Sequence, residues 1–345
     1  MNPGSRNPIA PLRKFRELLL SRPFRPHRVI PHPHLQTVAS ALARRDFGWG
    51  APNTETLALE LPGQVCVRTE CYFGNPGAPT LLAIHGVGGS SQSPYMQGFL
   101  HKACREGWNA VLLNLYDLNL GGNRPVIFHS GSSRELAGIV NRVLDLDPCG
   151  TLVLVAVSMG GNILLKLLGE WGEGAPDRVR AAAVISPLVD LVASWDTLDR
   201  RTNRHYRWHY VQGLKRVVRR HERDLARHID VEGIRNIKSI REFDEIFTSV
   251  LGGFEDAFDY YRQASASPWL GKIRVPTLVL HSKRDPILSW RPLMTAGLSE
   301  NPNVLLWLSR EGGHVGFIEQ ERQDIDRNWA ENRVIDFARL WFGQE

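Results

Sequence analysis

Residues 152–157 read Leu-Val-Leu-Val-Ala-Val, residues 158–162 follow as Ser-Met-Gly-Gly-Asn, and residues 163–171 continue as Ile-Leu-Leu-Lys-Leu-Leu-Gly-Glu-Trp. The first run is short and apolar, which predicts a buried strand, and the third predicts an apolar helix. Ser158 stands between them and is followed by Gly160 and Gly161, small residues that permit a sharp turn of the backbone. The stretch therefore predicts a strand, a tight turn and a helix, with a serine at the turn.

Outward from this stretch, apolar runs alternate with helical patterns in both directions. Strands that alternate with helices indicate crossover connections and a parallel sheet, because each chain must return across the sheet before it pairs again. The pattern predicts helices over residues 95–106, 133–144, 158–171, 292–298 and 326–342. It predicts strands over residues 80–84, 110–115, 152–157, 181–185, 277–281 and 304–308, preceded by a hairpin over 56–61 and 64–73 with its turn at 62–63.

The spacing of these elements divides the chain into three parts. Residues 1–50 are rich in Pro and Arg, with a short helical pattern at 12–20, and are predicted to form an arm over the domain. Residues 51–190 and 269–345 carry the strands and form the predicted core. Residues 191–268 have no apolar strand but have helical spacing of apolar residues, which predicts an inserted helical cap.

A serine at a sharp strand-to-helix turn is typical of the nucleophile elbow of the α/β-hydrolase fold. That fold orders its catalytic residues as nucleophile, acid and base along the chain. Asp285 follows the strand at 277–281, and His314 follows the strand at 304–308, as this order requires. We therefore predict a triad of Ser158, Asp285 and His314, with Asp190 as the alternative acid. The competing interpretation is that Ser158 only caps the following helix.

The first strand of the repeating series ends in a glycine-rich loop, His85-Gly86-Val87-Gly88-Gly89. Acyl transfer develops negative charge on a carbonyl oxygen, which two backbone N–H groups can stabilise. We predict that Val87 and Met159 provide these groups and form the oxyanion hole. A phosphate site is the alternative for such a loop, but no Walker lysine follows it and its glycines do not match the dinucleotide fingerprint.

These motifs, with several others, resemble the YheT-like branch of the α/β-hydrolases, whose members act on acyl esters and phospholipids. The resemblance implies the same three catalytic residues, Ser158, Asp285 and His314. Two features depart from the family pattern: Ala156 replaces a glycine, and residues 115–118 replace an Arg-Gly pair. The resemblance extends from about residue 31 to the end and rests on Pro33-His34-Leu35-Gln36-Thr37, His85 to Ser91, Phe128 to Gly131, Ser158 to Asn162, Arg241 to Asp244, Asp259 to Tyr261 and Gly312 to Phe317.

Composition limits the partners. The net charge of +6 is spread over 42 basic and 36 acidic residues, so we predict no nucleic-acid partner, although a basic run at 200–227 favours peripheral contact with a membrane. His32 and His34 lack a nearby third ligand, and the four cysteines lack metal or disulfide spacing, so we predict neither metal nor cofactor. We expect a cytoplasmic protein, peripheral to the inner membrane face if membrane-bound, with a transit peptide as a minor alternative.

The predicted function is hydrolysis of a carboxylic ester through an acyl-enzyme at Ser158. The substrate is predicted to be a small, lipid-like ester with a short to medium acyl chain. Two alternatives remain open: transfer of the acyl group to an alcohol, and a module that binds a ligand or a membrane surface without catalysis.

Overall fold

One eight-stranded sheet forms the centre of the molecule. The computed structural model of the chain describes residues 8–42, 45, 52–61, 65–115, 127–320 and 326–342. Within these residues the strands are β1 (Glu55–Leu61), β2 (Val65–Tyr72), β3 (Thr80–Ile84), β4 (Asn109–Leu113), β5 (Leu152–Val157), β6 (Val179–Ile185), β7 (Thr277–Ser282) and β8 (Val304–Ser309).

The strands pair in the order β1-β2-β4-β3-β5-β6-β7-β8. β1 pairs antiparallel with β2, and β2 pairs antiparallel with β4, while all later pairs are parallel. Every residue of β3, β4 and β5 is buried, as expected for parallel strands covered by helices on both faces. The predicted mostly parallel central sheet flanked by helices is confirmed.

Helices cover both faces of the sheet. They are α1 (Ile9–Ser21), α2 (Pro33–Leu42), α3 (Pro94–Arg105), α4 (Ser133–Leu146), α5 (Met159–Trp171), α6 (Leu191–Leu198), α7 (Arg204–Arg220), α8 (Glu222–Leu225), α9 (Val231–Asn236), α10 (Ile240–Phe243), α11 (Ser249–Gly252), α12 (Ala257–Ala264), α13 (Arg291–Thr295) and α14 (Trp329–Phe342). Short 3₁₀ turns lie at Gly172–Gly174, Arg201–Asn203, Ser267–Lys272 and Leu298–Glu300, and one π-helical turn lies at Asp244–Thr248.

The core consists of two apolar clusters, one on each face of the sheet. On one face, Leu12, Phe15 and Leu19 of α1 join the buried side chains of α3 and α14. On the other face, α4 and α5 pack together with the helices that follow β6. Alternate residues of the strands point into each cluster, so both faces contribute to burial of the sheet.

The chain between β6 and β7 is described without gaps and contains helices α6 to α12 but no strand. α7 is the longest of them, and Val211, Leu214 and Val218 form its buried side. These apolar residues are three and four positions apart, which places them on one face of the helix. The division into core and cap at residues 191 and 268 stays a prediction.

The N-terminal segment contains two helices, of which one was predicted. The helix predicted at 12–20 corresponds to α1, but a second helix, α2, was not predicted. Pro33 is the first residue of α2, a position where the missing N–H of proline is harmless. Parts of this segment, the turn at 62–63 and residues 116–118 lie outside the described residues.

Candidate active site

The turn between β5 and α5 has the geometry of an elbow. β5 ends at Val157, α5 begins at Met159, and Ser158 between them has φ +55°. Few residues other than glycine adopt a positive φ, so this conformation is strained. A Cβ at Gly160 would lie 2.6 Å from the backbone oxygen of His85, and one at Gly161 would lie 2.5 Å from Cγ1 of Val184. The two glycines are therefore required by contact with the neighbouring strands.

Ala156, the departure from the family pattern, fits the sheet. It is fully buried in β5, where it lies opposite Ile84 of β3 and Val184 of β6. Its methyl group adds to the apolar core and the elbow forms beside it without loss of the strand pairing. The substitution of glycine by alanine is therefore compatible with the turn at Ser158.

The structure brings together three of the predicted residues. The imidazole Nε2 of His314 lies 3.0 Å from the Oγ of Ser158, and its Nδ1 lies 2.8 Å from the Oδ2 of Asp285. The other carboxylate oxygen of Asp285 accepts hydrogen bonds from the backbone N–H groups of Ile287 (2.8 Å) and Leu288 (2.9 Å). These distances form one continuous chain of hydrogen bonds from carboxylate to imidazole to hydroxyl.

The environment of Asp285 keeps its carboxyl group ionised. Burial alone would raise the pKa of this carboxyl, but the electrostatic interaction and hydrogen bond with His314, followed by His281 and the N–H of Leu288, lower it below its usual value. An ionised Asp285 accepts a hydrogen bond from Nδ1–H of His314, so Nδ1 carries the ring proton and the free lone pair of the imidazole is on Nε2. That nitrogen faces Ser158 and is the one that can accept the hydroxyl proton.

Asp190, the alternative acid, has a different position. Its Oδ1 accepts a hydrogen bond of 3.0 Å from the N–H of Ala193, so it is the N-cap of α6. Asp285, and not Asp190, makes the contact with His314. The structure therefore favours the first of the two acids that the sequence left open.

The glycine-rich loop after β3 lies directly against Ser158. A Cβ at Gly86 would be 2.9 Å from the Cβ of Ser158. His85 Nε2 accepts a hydrogen bond from the N–H of Leu115 (3.0 Å), so its Nδ1–H donates to the oxygen of Gly86 (2.7 Å). Burial lowers the pKa of His85 to about 4, so its ring is neutral and fits this role. Tyr95, which the sequence analysis did not single out, accepts the N–H of Gly86 through its hydroxyl (3.1 Å).

Two cavities adjoin this loop, and Val87 lines both. The larger is a cleft of about 430 Å³ between α2 and α7, and it includes Ser158 and His314. The smaller, of about 40 Å³, is lined mainly by apolar side chains, Met159 and Trp195 among them, with Asp244 and Thr248 as polar exceptions. Of the residues predicted for the oxyanion hole, Val87 therefore lines the cleft that includes Ser158, and both Val87 and Met159 line the smaller cavity.

Other residues noted in the sequence have structural contacts. His34 stacks between the rings of His32 and Tyr206, which indicates a packing role. Of the aromatic residues of the predicted cap, Tyr210 lines the cleft and Trp208 is 65% exposed. Within the described part of the chain, no three side chains form a group that could hold a metal ion.

The basic run at 200–227 forms α7 and α8. Part of its charge is paired, since Arg207 lies 3.5 Å from Asp199. None of the helices described has both the length and the apolar character required to cross a membrane.

Asn162 belongs to the motif quoted from the sequence, but no functional role was predicted for it. Its amide nitrogen donates to the oxygens of Ser130 (2.7 Å) and Ala264 (2.8 Å), and its Oδ1 accepts the N–H of Ala266 (3.0 Å). This buried side chain joins the first turn of α5 to two loops and so stabilises the position of the elbow.

Comparison with known proteins identifies the family of the fold. The family model described as alpha/beta hydrolase fold matches residues 79–321. The Escherichia coli (strain K12) protein named "Putative esterase YheT" is 32% identical over 335 residues, which are 94% of this chain and 95% of that protein. The human protein named Phospholipase ABHD3 is 31% identical over 256 residues, but the chain spans only 62% of its length. A monoacylglycerol lipase of Saccharomyces cerevisiae is 25% identical over 272 residues, and the chain spans 59% of its length.

Solved structures show the same fold at low identity. An esterase of Pyrococcus furiosus, Pf2001, superposes with a TM-score of 0.57 at 15% identity and covers 87% of this chain and 97% of its own. An acylaminoacyl peptidase of Pyrococcus horikoshii superposes with a TM-score of 0.53 at 13% identity, covering 86% of this chain and 43% of its own. At such identities the likeness concerns the fold alone.

Proposed function

Because the chain belongs to the α/β-hydrolase family, we propose that it is a serine hydrolase that cleaves carboxylic esters through an acyl-enzyme at Ser158. The observation that carries this proposal is the hydrogen-bonded chain from Asp285 through His314 to Ser158, with the serine at a strained elbow. The printed names of its relatives, which include esterase, phospholipase and monoacylglycerol lipase, support an ester as the substrate.

In the first half of the reaction, Nε2 of His314 accepts the proton of Ser158 as its Oγ bonds to the carbonyl carbon of the ester. The π electrons of the carbonyl group move to its oxygen, which becomes an anion. The N–H groups of Val87 and Met159 stabilise this anion, each by about 3 kcal/mol. The bond from carbon to the alcohol oxygen then breaks, and His314 returns the proton to the departing alcohol.

The second half repeats these steps with water in place of the serine. His314 removes a proton from water, the resulting hydroxide oxygen bonds to the acyl carbon, and the bond to Ser158 Oγ breaks. The proton returns to Ser158 and the carboxylic acid is released. Throughout, Asp285 holds the imidazole in one orientation and stabilises its positive form.

The two cavities support an assignment of the two parts of the ester. We place the acyl chain in the small apolar cavity beside Met159 and the alcohol part in the large cleft between α2 and α7. A volume of about 40 Å³ is far below that of a cavity that holds benzene, about 150 Å³. Only the first carbons of an acyl chain fit without displacement of the lining side chains, so short chains are favoured.

A fluorophosphonate probe tests the nucleophile. It forms a covalent bond with an activated serine, so wild type should be labelled and Ser158→Ala should not. Ser21, an exposed serine of α1, provides the matched control, because Ser21→Ala should label like wild type. Folded wild type without labelling would refute the proposal and favour a module without catalysis.

A panel of p-nitrophenyl esters from acetate to palmitate tests the substrate. We expect the highest kcat/KM at acetate to butyrate and a steep decline beyond; a maximum at palmitate would contradict the placement of the acyl chain. The same assay with an added alcohol measures acyl transfer. Accumulation of the new ester in place of the free acid would show that the alcohol, and not water, resolves the acyl-enzyme.

A further inference from the structure

The backbone of His314 is held by a residue from the opposite end of the chain. Its N–H donates a hydrogen bond of 2.8 Å to the Oγ1 of Thr37, a residue of α2 that lies 277 positions earlier. The hydroxyl of Thr37 in turn donates to the oxygen of Pro33 (2.9 Å), so its own position is set by the first turn of the helix. Thr37 is buried, and water therefore does not replace it easily as the acceptor.

The loop that carries His314 has a strained conformation. Val315, the next residue, has φ +59°, which is rare for any residue other than glycine and rarer for a β-branched one. Its N–H donates to the Oγ of Ser186 (3.2 Å). Such a conformation persists only where the surroundings determine it, so the contacts of this loop decide where the imidazole lies.

Those surroundings are mainly α2. A Cβ at Gly313 would lie 2.4 Å from the Oγ1 of Thr37, and one at Gly316 would lie 2.2 Å from the oxygen of Gln36. Gln36 is fully buried, accepts the N–H of Ile318 (2.7 Å) and donates to the oxygen of the same residue (3.0 Å). The chain on both sides of His314, at Gly313 and at Gly316, therefore packs directly against α2.

The same helix also contacts α7. Tyr206 of α7 has its hydroxyl 2.9 Å from Nδ1 of His34. Tyr206 and Thr37 both line the cleft that contains Ser158. α2 thus lies between α7, which it contacts through His34, and the loop of His314, which it contacts through Thr37.

From these contacts we infer that α2 positions the base of the triad and that Thr37 is the positioning residue, acting through the backbone of His314. The inference rests on the proposed function, because it concerns the same site. Thr37 does not transfer a proton; it sets the distance between Nε2 and the serine hydroxyl. A misplacement of about 1 Å in such a site lowers the rate by about 100-fold.

The test compares three substitutions of one side chain. Thr37→Val keeps the shape of the side chain but removes the hydroxyl that accepts the hydrogen bond, and Thr37→Ser keeps that hydroxyl. Thr37→Ala also removes the hydroxyl, without adding the two methyl groups of valine. We expect kcat for p-nitrophenyl acetate to fall about 10- to 100-fold in Thr37→Val and Thr37→Ala, with KM within about twofold of wild type. Thr37→Ser should retain at least about half of the wild-type kcat. Leu35→Ala, at an exposed position of the same helix, should behave as wild type.

A structural role alone predicts other results. If Thr37→Val, or Thr37→Ala where the valine variant does not fold, lowers only the melting temperature and keeps kcat within about threefold, the inference is wrong. It is also wrong if Thr37→Ser loses as much kcat as Thr37→Val, because the hydroxyl is then not responsible. Wild type that neither reacts with the fluorophosphonate nor cleaves any ester refutes the proposed function instead, which separates the two failures.

Discussion

Replacement of Asp285 by asparagine tests the proposed triad at its acid, whose side chain is fully buried. The carboxylate has two fixed contacts: Oδ1 accepts two backbone N–H groups, and Oδ2 accepts Nδ1–H of His314. In Asp285→Asn the amide oxygen must remain with the two N–H donors, because the amide nitrogen has no lone pair to offer them. The NH₂ group then faces Nδ1 of His314.

This orientation reverses the tautomer of the imidazole. Nδ1 must accept the amide N–H, so the ring proton moves to Nε2 and points at Ser158. The nitrogen that should remove the hydroxyl proton is then blocked. In a comparable triad the same change lowers kcat by about 10⁴-fold, which corresponds to about 5 kcal/mol of transition-state stabilisation. We expect a loss of that order for kcat, with a smaller change in KM.

Asp190→Asn is the matched control. Asparagine caps a helix about as well as aspartate, so both stability and activity should remain near those of wild type. The assay is p-nitrophenyl acetate hydrolysis, with the rate of fluorophosphonate labelling as a second measure and the melting temperature as a check on folding. If Asp285→Asn loses less than about tenfold in kcat, or if Asp190→Asn loses more than Asp285→Asn, the assignment of the acid is wrong.

Three further predictions follow from other contacts. Gly160→Ala would place a methyl group 2.6 Å from a backbone oxygen, so urea unfolding should show that the free energy of unfolding falls by about 1 to 3 kcal/mol. Gly213→Ala, on α7 with no atom within 4 Å of the added Cβ, should raise it by up to about 1 kcal/mol. Equal effects of the two substitutions would contradict the packing argument. Phe247→Ala enlarges the small cavity and should move the ester preference towards longer acyl chains, and an unchanged preference would remove the acyl chain from that cavity. Burial raises the pKa of Asp244 to about 7, so between about pH 4 and this value the folded state holds a proton that the unfolded chain has lost. The free energy of unfolding should therefore fall as pH rises across this range in wild type, and Asp244→Asn should show a smaller fall; parallel pH profiles would refute the shift.

Much of the sheet was predictable because its signals are local. The strands β3 and β5 begin and end where the apolar runs at 80–84 and 152–157 predict, since a fully buried parallel strand must be apolar throughout. The order of Ser158, Asp285 and His314 along the chain was also readable, because the fold places each after a particular strand. The positions of these three residues in the sequence therefore led to the hypothesis of a triad, and the distances between them in the structure support it.

The N-terminal segment was less predictable. Its prolines dominate the local pattern, and the prediction was an arm over the domain, without a role in the site. The burial of Thr37 and Gln36 depends on residues almost 280 positions away, and no local periodicity records such contacts. The only available signal was the resemblance, which included the motif at 33–37 without a role for it.

What the sequence alone determined is the class of the fold and the identity of the three residues proposed for catalysis. Alternation of apolar strands and amphipathic helices reflects burial that each segment carries in its own composition. Only the tertiary structure placed Asp285, and not the alternative Asp190, against His314, brought α2 against the loop of His314 and set the size of the cavity beside Met159. Those outcomes depend on distances between side chains from separate segments, which are established when the sheet and its helices pack and are not encoded in any one stretch of the chain.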